Sequence, residues 1–429
     1  MTFHQEQVHY ENGVTYHFMP TKKFKTIALT AKLKAPLYRE TVTKRALLPY
    51  ILKQGTESYP TRKQLQLKLD DLYGAILSIN SGKKGENHIL TIRLELANEQ
   101  FVPNNEVIID EGIALFHELL FKPNIVNGSF DQTIFNREKE TLRNKIQSIQ
   151  DDKMKYANMR LIDEMCAGEP YELHVHGYEE DLDELKADEL YEYYKKLVTE
   201  DELDIYIVGD FHEEDMKNKV TSELRRSVSK VSTDGISSHP VKTVRSKEIV
   251  EEQEIQQAKL HLGYRTNTTY EDDAYPALQV FNGIFGGFPN SKLFINVREK
   301  NSLAYYAASR IESHKGLLFV FSGIAPENYE KARDIIRLQM ESMKNGEFSD
   351  AELDETKELI VNQLLETLDS SRGMVELSYQ QVIGEKQVPP GQLMEQIRKV
   401  TKQDVIQVAK RIEEDTVYLL TSKGGKSHA

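Results

Sequence analysis

The stretch FNGIFGGFPNSKLFINVREKNSLAYYAASR, residues 281–310, decides the fold of this chain. It joins the glycine-rich end of an apolar helical segment, 275–287, to a pair of predicted strands over 301–324. The first half of the chain has the same order, because an apolar helical segment ends at Gly55 and a predicted strand pair follows over 70–96. The sequence therefore predicts an internal repeat.

Other elements extend the repeat on both sides of this stretch. A strand precedes the helix in each half, two helices with an apolar face follow the strand pair, and each half closes with a short helix and a strand, 187–211 and 401–423. Ser349 and Glu352 form a capping box at the start of one of these helices. The apolar positions that alternate in the preceding strands are Ile27, Leu29, Ala31 and Leu33 in the first half and Ala258, Leu260, Leu262 and Tyr264 in the second.

This repeat predicts an α+β fold of two similar lobes, each a mixed or antiparallel sheet with helices packed on it. We expect an N-terminal lobe over 1–215, a linker over 216–247 and a C-terminal lobe over 248–429. The linker is predicted because that segment is rich in serine and basic residues and has only scattered apolar residues. Two such lobes suggest a cleft, where ligands commonly bind.

Composition excludes several classes of protein. With 429 residues, 39% hydrophobic and 29% charged, the chain has the values of a globular protein rather than a disordered or fibrous one. Lys and Arg total 55 against 68 Asp and Glu, and the net charge of −13 argues against nucleic acid and anionic membranes as partners. A single cysteine, Cys166, and the absence of a signal-like start or a long apolar run predict a cytoplasmic protein.

Common catalytic motifs are absent from the sequence. His117 and Glu118 begin an H-E-x-x-H pattern, but Phe121 stands where the second zinc ligand belongs, so we interpret His117 as an ordinary residue of an amphipathic helix. His174 and His176 could point the same way only on an extended strand. A relocated metal site that uses these two histidines stays an alternative, and metal analysis of the purified chain would test it.

The motifs S-K-L-F, V-R-E-K and S-L-A-Y-Y follow one another in register within residues 281–310, after a helix that ends in glycine. This segment resembles the second-lobe signature of the pitrilysin-type, or inverzincin, peptidases, the family of mitochondrial processing peptidase and insulin-degrading enzyme. The resemblance covers essentially the whole chain, including 53–56 (KQGT), 137–146 (REKETLRNKI) and 205–211 (IYIVGDF). Within the family, the chain resembles the noncatalytic, YmfF-like bacterial members.

The resemblance implies that the zinc site of this chain is degenerate. Active members carry H-x-x-E-H on the first helix, and counting back from the KQGT turn places Ala46 and Tyr50 at the positions of the two histidines and Pro49 at that of the glutamate base. The downstream glutamate ligand falls near Asn144 and Lys145. None of these residues replaces the usual zinc ligands, so we expect no metal, no other cofactor and no hydrolysis by this chain.

The resemblance also implies a site for substrate in the second lobe. In the family, an Arg and a Tyr seven positions apart reach the substrate at the zinc of the catalytic half, and here they are Arg298 and Tyr305. Arginine can bind a carbonyl or carboxylate through its planar fork, and a tyrosine hydroxyl can donate to an oxyanion. Gly286 and Gly287 lie in a turn that resembles a substrate-contacting glycine-rich loop, although a simple helix-to-loop turn is the alternative.

These features predict a noncatalytic subunit of a two-chain zinc peptidase. The expected partner is a homologue that carries H-x-x-E-H, and together the two chains would enclose a peptide or a small unfolded polypeptide. The isolated chain could instead pair with itself as a homodimer. A second hypothesis is a scaffold or peptide-binding protein that works without any peptidase, and copurification separates the two.

Overall fold

The computed structural model describes residues 6–103, 107–226 and 246–423. The chain forms two compact units, and each unit takes one segment from the other half of the sequence. The first unit consists of Met1–Ser148, Leu173–Ser237 and Asp369–Val375. The second consists of Ile149–Glu172, Ser238–Leu368 and Glu376–Ala429.

The elements of the first half alternate between strands and helices. The strands are β1 (Gln7–Glu11), β2 (Val14–Pro20), β3 (Thr26–Pro36), β4 (Ile76–Lys84), β5 (Asn87–Ala97), β6 (Ile125–Val126), β7 (Ser129–Phe130) and β8 (Glu202–Gly209). The helices are α1 (Arg39–Leu52), α2 (Arg62–Asp71), α3 (Ile108–Phe121), α4 (Gln132–Asp151), α5 (Lys153–Met165), α6 (Glu179–Glu184), α7 (Ala187–Glu200) and α8 (Glu213–Glu223).

The second half repeats this alternation. Its strands are β9 (Lys247–Gln253), β10 (Ala258–Arg265), β11 (Ala304–Glu312), β12 (Leu317–Ile324) and β13 (Glu413–Ser422). Its α-helices are α9 (Tyr275–Asn282), α10 (Tyr329–Lys344), α11 (Asp350–Thr367), α12 (Ser371–Ile383), α13 (Pro390–Lys399) and α14 (Lys402–Arg411). Of the helices within the described ranges, none has the length and apolar character needed to cross a bilayer.

The two main sheets share one topology. The first has the order β1-β2-β8-β3-β5-β4 and the second has β11-β12-β10-β13-β9. In each sheet one pair is parallel, β2 with β8 and β9 with β13, while the matching neighbours are antiparallel. When the second order is reversed, β9-β13-β10-β12-β11 corresponds strand for strand to β2-β8-β3-β5-β4, and β1 is an extra edge strand of the first sheet. The predicted α+β fold of two similar lobes is therefore confirmed.

The predicted alternation places the core of the first unit between its sheet and its helices. Leu29 of β3 lies opposite Leu94 of β5, and both are fully buried. Complete burial of a leucine side chain stabilises the fold by about 1.5–3 kcal/mol. Phe116 of α3 and Phe135 of α4 belong to the same buried cluster, so these helices pack on the sheet.

Helix α5 belongs to the second unit, although it is encoded in the first half. Leu161 and Met165 form a buried cluster with Phe319 of β12 and Tyr418 of β13. Gly263 of β10 makes this close packing feasible, because a Cβ atom there would lie 2.5 Å from the sulfur of Met165. The second sheet is therefore covered by a helix that precedes the predicted linker in sequence.

The predicted linker over 216–247 begins too early. Helix α8 continues to Glu223, and Met216 and Val220 are buried in the core of the first unit. The start of this segment is therefore packed structure, because its scattered apolar residues are spaced to lie on one helical face. Residues 227–245 of the predicted linker lie outside the described residues. The remaining lobe boundaries stay a prediction.

Candidate functional site

Helix α1 carries the first three degenerate zinc positions. Ala46 and Pro49 are buried, and Tyr50 is partly buried against the core of the first unit. Burial raises the pKa of the Tyr50 hydroxyl, and the nearby carboxylate of Glu138 raises it further. The phenol therefore stays protonated at neutral pH, where it is a poor zinc ligand.

The fourth zinc position lies on α4, where Asn144 and Lys145 are both exposed. An amide and an ammonium do not fit a site that needs imidazole, thiolate or carboxylate donors. Within the part of the chain that the structure describes, no group of three or more His, Cys, Asp or Glu side chains is placed to hold a metal ion. The residues present therefore do not fit the zinc ion that active relatives bind.

The histidines considered as metal ligands occupy ordinary surroundings. His117 lies on α3 with its ring centroid 5.3 Å from that of Phe121, and burial lowers its pKa. His174 and His176 lie on a turn rather than on a strand, because the backbone N–H of Gly177 donates to the carbonyl oxygen of His174 at 2.8 Å. The extended geometry that would align these two rings is not the one observed.

A buried arginine next to Ala46 gives α1 a different role. Arg45 is 1% exposed, and its Nη1 donates to Asp201 at 2.6 Å. Its Nη2 donates to the carbonyl oxygens of Leu33 and His88 at 2.9 and 3.0 Å. This side chain ties α1 to β3, to β5 and to the residue that precedes β8. Sequence reasoning missed it, although an arginine inside an apolar helical segment was a signal.

Arg298 lies on the surface of the second unit, in a π-helical turn over Phe294–Glu299. Its guanidinium carbon lies 4.7 Å from the ring centroid of Phe294. The turn is closed by backbone bonds from Ser302 to the oxygen of Arg298 and from Leu303 to the oxygen of Val297, each 3.0 Å long. Arg298 is therefore held by a compact turn and a cation–π contact while it faces solvent.

Tyr305 lies on β11, an edge strand of the second sheet, and 73% of it is exposed. In the pairing with β12, Ala304 lies opposite Ile324 and Tyr306 lies opposite Gly323, so Tyr305 is the extra residue of a β-bulge. A bulge changes the direction of a side chain at the edge of a sheet. Arg298 and Tyr305 thus come from consecutive elements of one unit, and both are exposed.

The two glycines of the predicted substrate loop have different surroundings. They end a π-helical turn over Gly283–Gly287. Gly286 is buried, and a Cβ atom there would lie 2.5 Å from Ser309 Oγ and 2.7 Å from Leu293 Cδ1, so its lack of a side chain permits close packing. Gly287 is exposed. Substrate contact by this turn stays a prediction.

Comparison with known proteins gives the family. The model described as Peptidase M16 inactive domain matches residues 184–360. Over 100% of both chains, the sequence is 44% identical to the probable inactive metalloprotease YmfF of Bacillus subtilis (strain 168). The chain belongs to the M16 peptidase family. The pitrilysin-type resemblance is confirmed, and the chain is an inactive member of this family rather than an active enzyme.

More distant relatives agree with this placement. The uncharacterized zinc protease YmxG of Bacillus subtilis is 24% identical over 57% of this chain and 59% of its own length. A conserved protein from Enterococcus faecalis V583 has a TM-score of 0.88 and 32% identity, with coverage of 97% of this chain and 98% of that one. A protease from Helicobacter pylori has a TM-score of 0.82 at 16% identity over 97% and 99% of the chains, which shows a shared fold.

Proposed function

We propose that this M16 chain is the noncatalytic subunit of a two-chain zinc peptidase. A partner homologue supplies H-x-x-E-H, and this chain supplies Arg298 and Tyr305 to the bound peptide. The observation that carries the proposal is the contrast between α1, where Ala46, Pro49 and Tyr50 occupy the zinc-site positions, and the second unit, where both polar side chains are exposed.

The geometry suits these two side chains to recognise a peptide. The stacking of Arg298 on Phe294 limits its motion and leaves the N–H groups of the guanidinium for a carbonyl or carboxylate. The exposed hydroxyl of Tyr305 can donate to an oxygen on which negative charge develops. The adjacent ring of Tyr306 is partly buried instead, and burial raises its pKa to about 12. The bulge therefore separates a surface tyrosine from a structural one.

The substrate in this proposal is a peptide or a small unfolded polypeptide in the cytoplasm. An extended peptide offers backbone carbonyls to Arg298 wherever it binds, so this contact fixes position rather than sequence preference. Cleavage takes place at the partner's metal.

Copurification and reconstitution test the proposal. Tagged full-length chain should bring down a homologue that contains H-x-x-E-H, identified by mass spectrometry, and the reconstituted pair should hydrolyse peptides. Arg298→Ala or Tyr305→Phe should lower turnover by about ten- to a thousandfold if the side chain contacts the developing charge. Arg310→Ala is the matched control, since Arg310 is an exposed arginine on the same strand as Tyr305.

Two outcomes would reject the proposal. Unchanged turnover in both single variants would show that Arg298 and Tyr305 do not contact the developing charge. Recovery of a stable homodimer without any H-x-x-E-H chain would favour a scaffold or peptide-binding protein that acts without a peptidase.

A further inference from the structure

Strand β1 is the edge strand that the first sheet has in addition to those matched in the second. It pairs with β2 on one side, and no other strand of the described residues lies along its outer side. An edge strand presents a row of unpaired N–H and C=O groups, which is a template for pairing with another strand. The outer side of β1 is therefore a candidate interaction surface.

The hairpin geometry shows which backbone groups point outward. The turn between β1 and β2, residues 12–13, has positive φ at both positions, 53° and 73°, as in a two-residue type I′ turn. The residues that flank such a turn, Glu11 and Val14, form a hydrogen-bonded pair, and these pairs then alternate along the strands. Val8 and Tyr10 consequently direct their N–H and C=O groups away from β2.

The side chains of these two residues are also exposed. Val8 is 57% exposed and Tyr10 is 66% exposed. They lie on one face of the sheet, because Val8 pairs with His17 and Tyr10 pairs with Thr15 in β2. Two large side chains with apolar surface thus accompany the unpaired backbone groups.

Edge strands are commonly protected by lysine, by proline or by a bulge. In the first sheet the opposite edge, β4, ends in Lys83 and Lys84. In the second sheet β11 has the bulge at Tyr305, and β9 begins with Lys247. β1 has neither lysine nor proline, and its register with β2 is regular throughout. Of the main-sheet edges in the described part of the chain, β1 is the one that lacks all three devices.

The edge is fixed at both ends of the strand. The carboxylate of Glu6, which precedes β1, lies 2.6 Å from Nδ1 of the buried His17. The carbonyl oxygen of Gly13, in the turn that follows β1, accepts from Nε of Arg226 at 2.9 Å. A second strand would therefore meet a surface that is already ordered, which lowers the entropic cost of association.

The residue order of β1 is self-complementary. When two copies of β1 run antiparallel about a two-fold axis at His9, Val8 lies opposite Tyr10 of the second copy. The outward groups then form four backbone hydrogen bonds, because each of the two Val8–Tyr10 pairs exchanges two. The same register places Gln7 opposite Glu11 of the second copy, an amide beside a carboxylate.

The charges of β1 also fit this arrangement. No carboxylate of the strand lies opposite another in this register, although the chain as a whole has a net charge of −13. Nε2 of each His9 lies 3.1 Å from a carboxylate oxygen of Glu11 in the same strand. A positive charge on either histidine is therefore balanced within its own strand, which limits repulsion across the axis.

We propose that two copies of this chain pair antiparallel through β1, so that their six-stranded sheets become one continuous sheet. A second copy is the partner because the strand complements itself in backbone hydrogen bonds, in apolar side chains and in charge. One five-residue strand from each copy buries less than the about 1,200–2,000 Å² of a standard interface, so the dimer should be weak and dependent on concentration. The inference does not rest on the proposed function.

Disulfide trapping tests the register. In His9→Cys the two introduced thiols face each other across the axis, where Cα atoms about 4.5 Å apart are within the range of a disulfide. Gln7→Cys is the matched control on the same face of the strand, because four residues of offset separate the two copies of position 7 by about 14 Å. The native Cys166 is buried. Under mild oxidation, nonreducing electrophoresis should show at least about tenfold more covalent dimer for His9→Cys than for Gln7→Cys.

Sedimentation velocity tests the association itself. The full-length chain should show a monomer–dimer equilibrium between about 1 and 300 μM, since interfaces of this size are weak. Tyr10→Lys should weaken the dimer by about tenfold or more, because it replaces an apolar contact with a charge at the edge. Tyr38→Lys is the matched control, since Tyr38 is 50% exposed in the same unit, and it should leave the equilibrium unchanged.

Three results would overturn the proposal. A monomer at all concentrations would exclude the pairing, and a dimer that persists unchanged in Tyr10→Lys would place the contact elsewhere. Equal trapping of the two cysteine variants would show random collision rather than a fixed register. Failure of the peptidase-subunit proposal is distinguishable, because Tyr10→Lys chain that brings down no H-x-x-E-H homologue would reject that proposal and leave the β1 pairing intact.

Discussion

The two units place an arginine differently on the same topology. In the first unit Arg45 points into the interior and bonds to Asp201 and two backbone carbonyls. In the second unit Arg298 follows the matching helix, α9, and lies on the surface above Phe294. Arg45 links packed segments inside the first unit, whereas Arg298 is accessible to a ligand. A shared fold therefore does not decide function, and the surroundings of individual side chains do.

The largest effect on stability should come from removing the buried ion pair of Arg45 and Asp201. Arg45→Met leaves Asp201 buried without its partner, and removal of one partner of a buried pair typically destabilises by about 3–5 kcal/mol. Denaturant unfolding of the full-length chain measures this loss. Arg39→Ala is the control on the same helix, because its ion pairs are partly exposed and such pairs contribute about 0–1 kcal/mol. Similar losses in the two variants would contradict the contrast between internal and surface arginines.

Two buried histidines, His261 in the second unit and His17 in the first, should contribute opposite pH dependences to stability. Burial lowers the pKa of His261 in the second unit to about 3, so below about pH 6.5 the unfolded chain binds a proton that the folded chain refuses. Stability should then fall by about 1.4 kcal/mol per pH unit on acidification. His261→Leu should reduce that slope between pH 6.5 and 4.5 in urea titrations, since the variant has no imidazole to protonate.

His17 in the first unit should act in the other direction. Burial alone would lower its pKa, but Asp204 and Glu6, at 2.9 and 2.6 Å from its ring nitrogens, raise it. Its contribution is therefore complete below about pH 6.5 and is lost as pH rises through the folded-state value. His17→Gln should destabilise the chain at pH 6 more than at pH 9. Equal losses at both values would mean that the ring is not charged in the folded state.

Two neighbouring glycines sharpen the comparison within the second unit. Gly286→Ala introduces a methyl group against Ser309 and Leu293, and overpacking of this kind costs about 1–3 kcal/mol. Gly287→Ala meets mainly Asn282 at an exposed position and should cost less. Thermal unfolding measures both changes. A larger loss of stability in Gly287→Ala than in Gly286→Ala would show that the backbone of the turn, and not its packing on β11, requires glycine.

The smallest effect should come from the caps of corresponding helices. Asp131 accepts from the backbone N–H of Ile134 at the start of α4, and Ser349 accepts from that of Glu352 at the start of α11. Asp131→Ala and Ser349→Ala should each destabilise by about 1 kcal/mol. Hydrogen exchange should show the loss of protection in α4 for the first variant and in α11 for the second. Loss in both helices from either variant would show that the units unfold together.

Local patterns predicted much of this molecule and failed at identifiable places. The alternating residues Ile27 to Leu33 and the capping box at Ser349 appeared where expected, because each depends on neighbours within a few residues. The buried pair of Arg45 and Asp201 was missed, since 156 positions separate its members. The start of the linker was predicted too early, at residue 216. Helix α8 has few apolar residues, so in the sequence alone its second half resembles a polar segment.

The candidate sites were likewise predicted in part from the sequence. The absence of metal donors at Ala46, Pro49 and Tyr50 could be read from the sequence, because no folding can make these side chains imidazoles or carboxylates. The spacing of Arg298 and Tyr305 could also be read, but the bulge that exposes the tyrosine could not.

The sequence by itself determined the repeated order of strands and helices, the family and the loss of the zinc site, because these depend on residue identity and on short periodic patterns. Tertiary structure alone decided that α5 covers the second sheet and that Gly286 is internal. Those features depend on which distant segments fit together when apolar surface is buried, and shape complementarity between distant segments leaves no periodic signal along the chain.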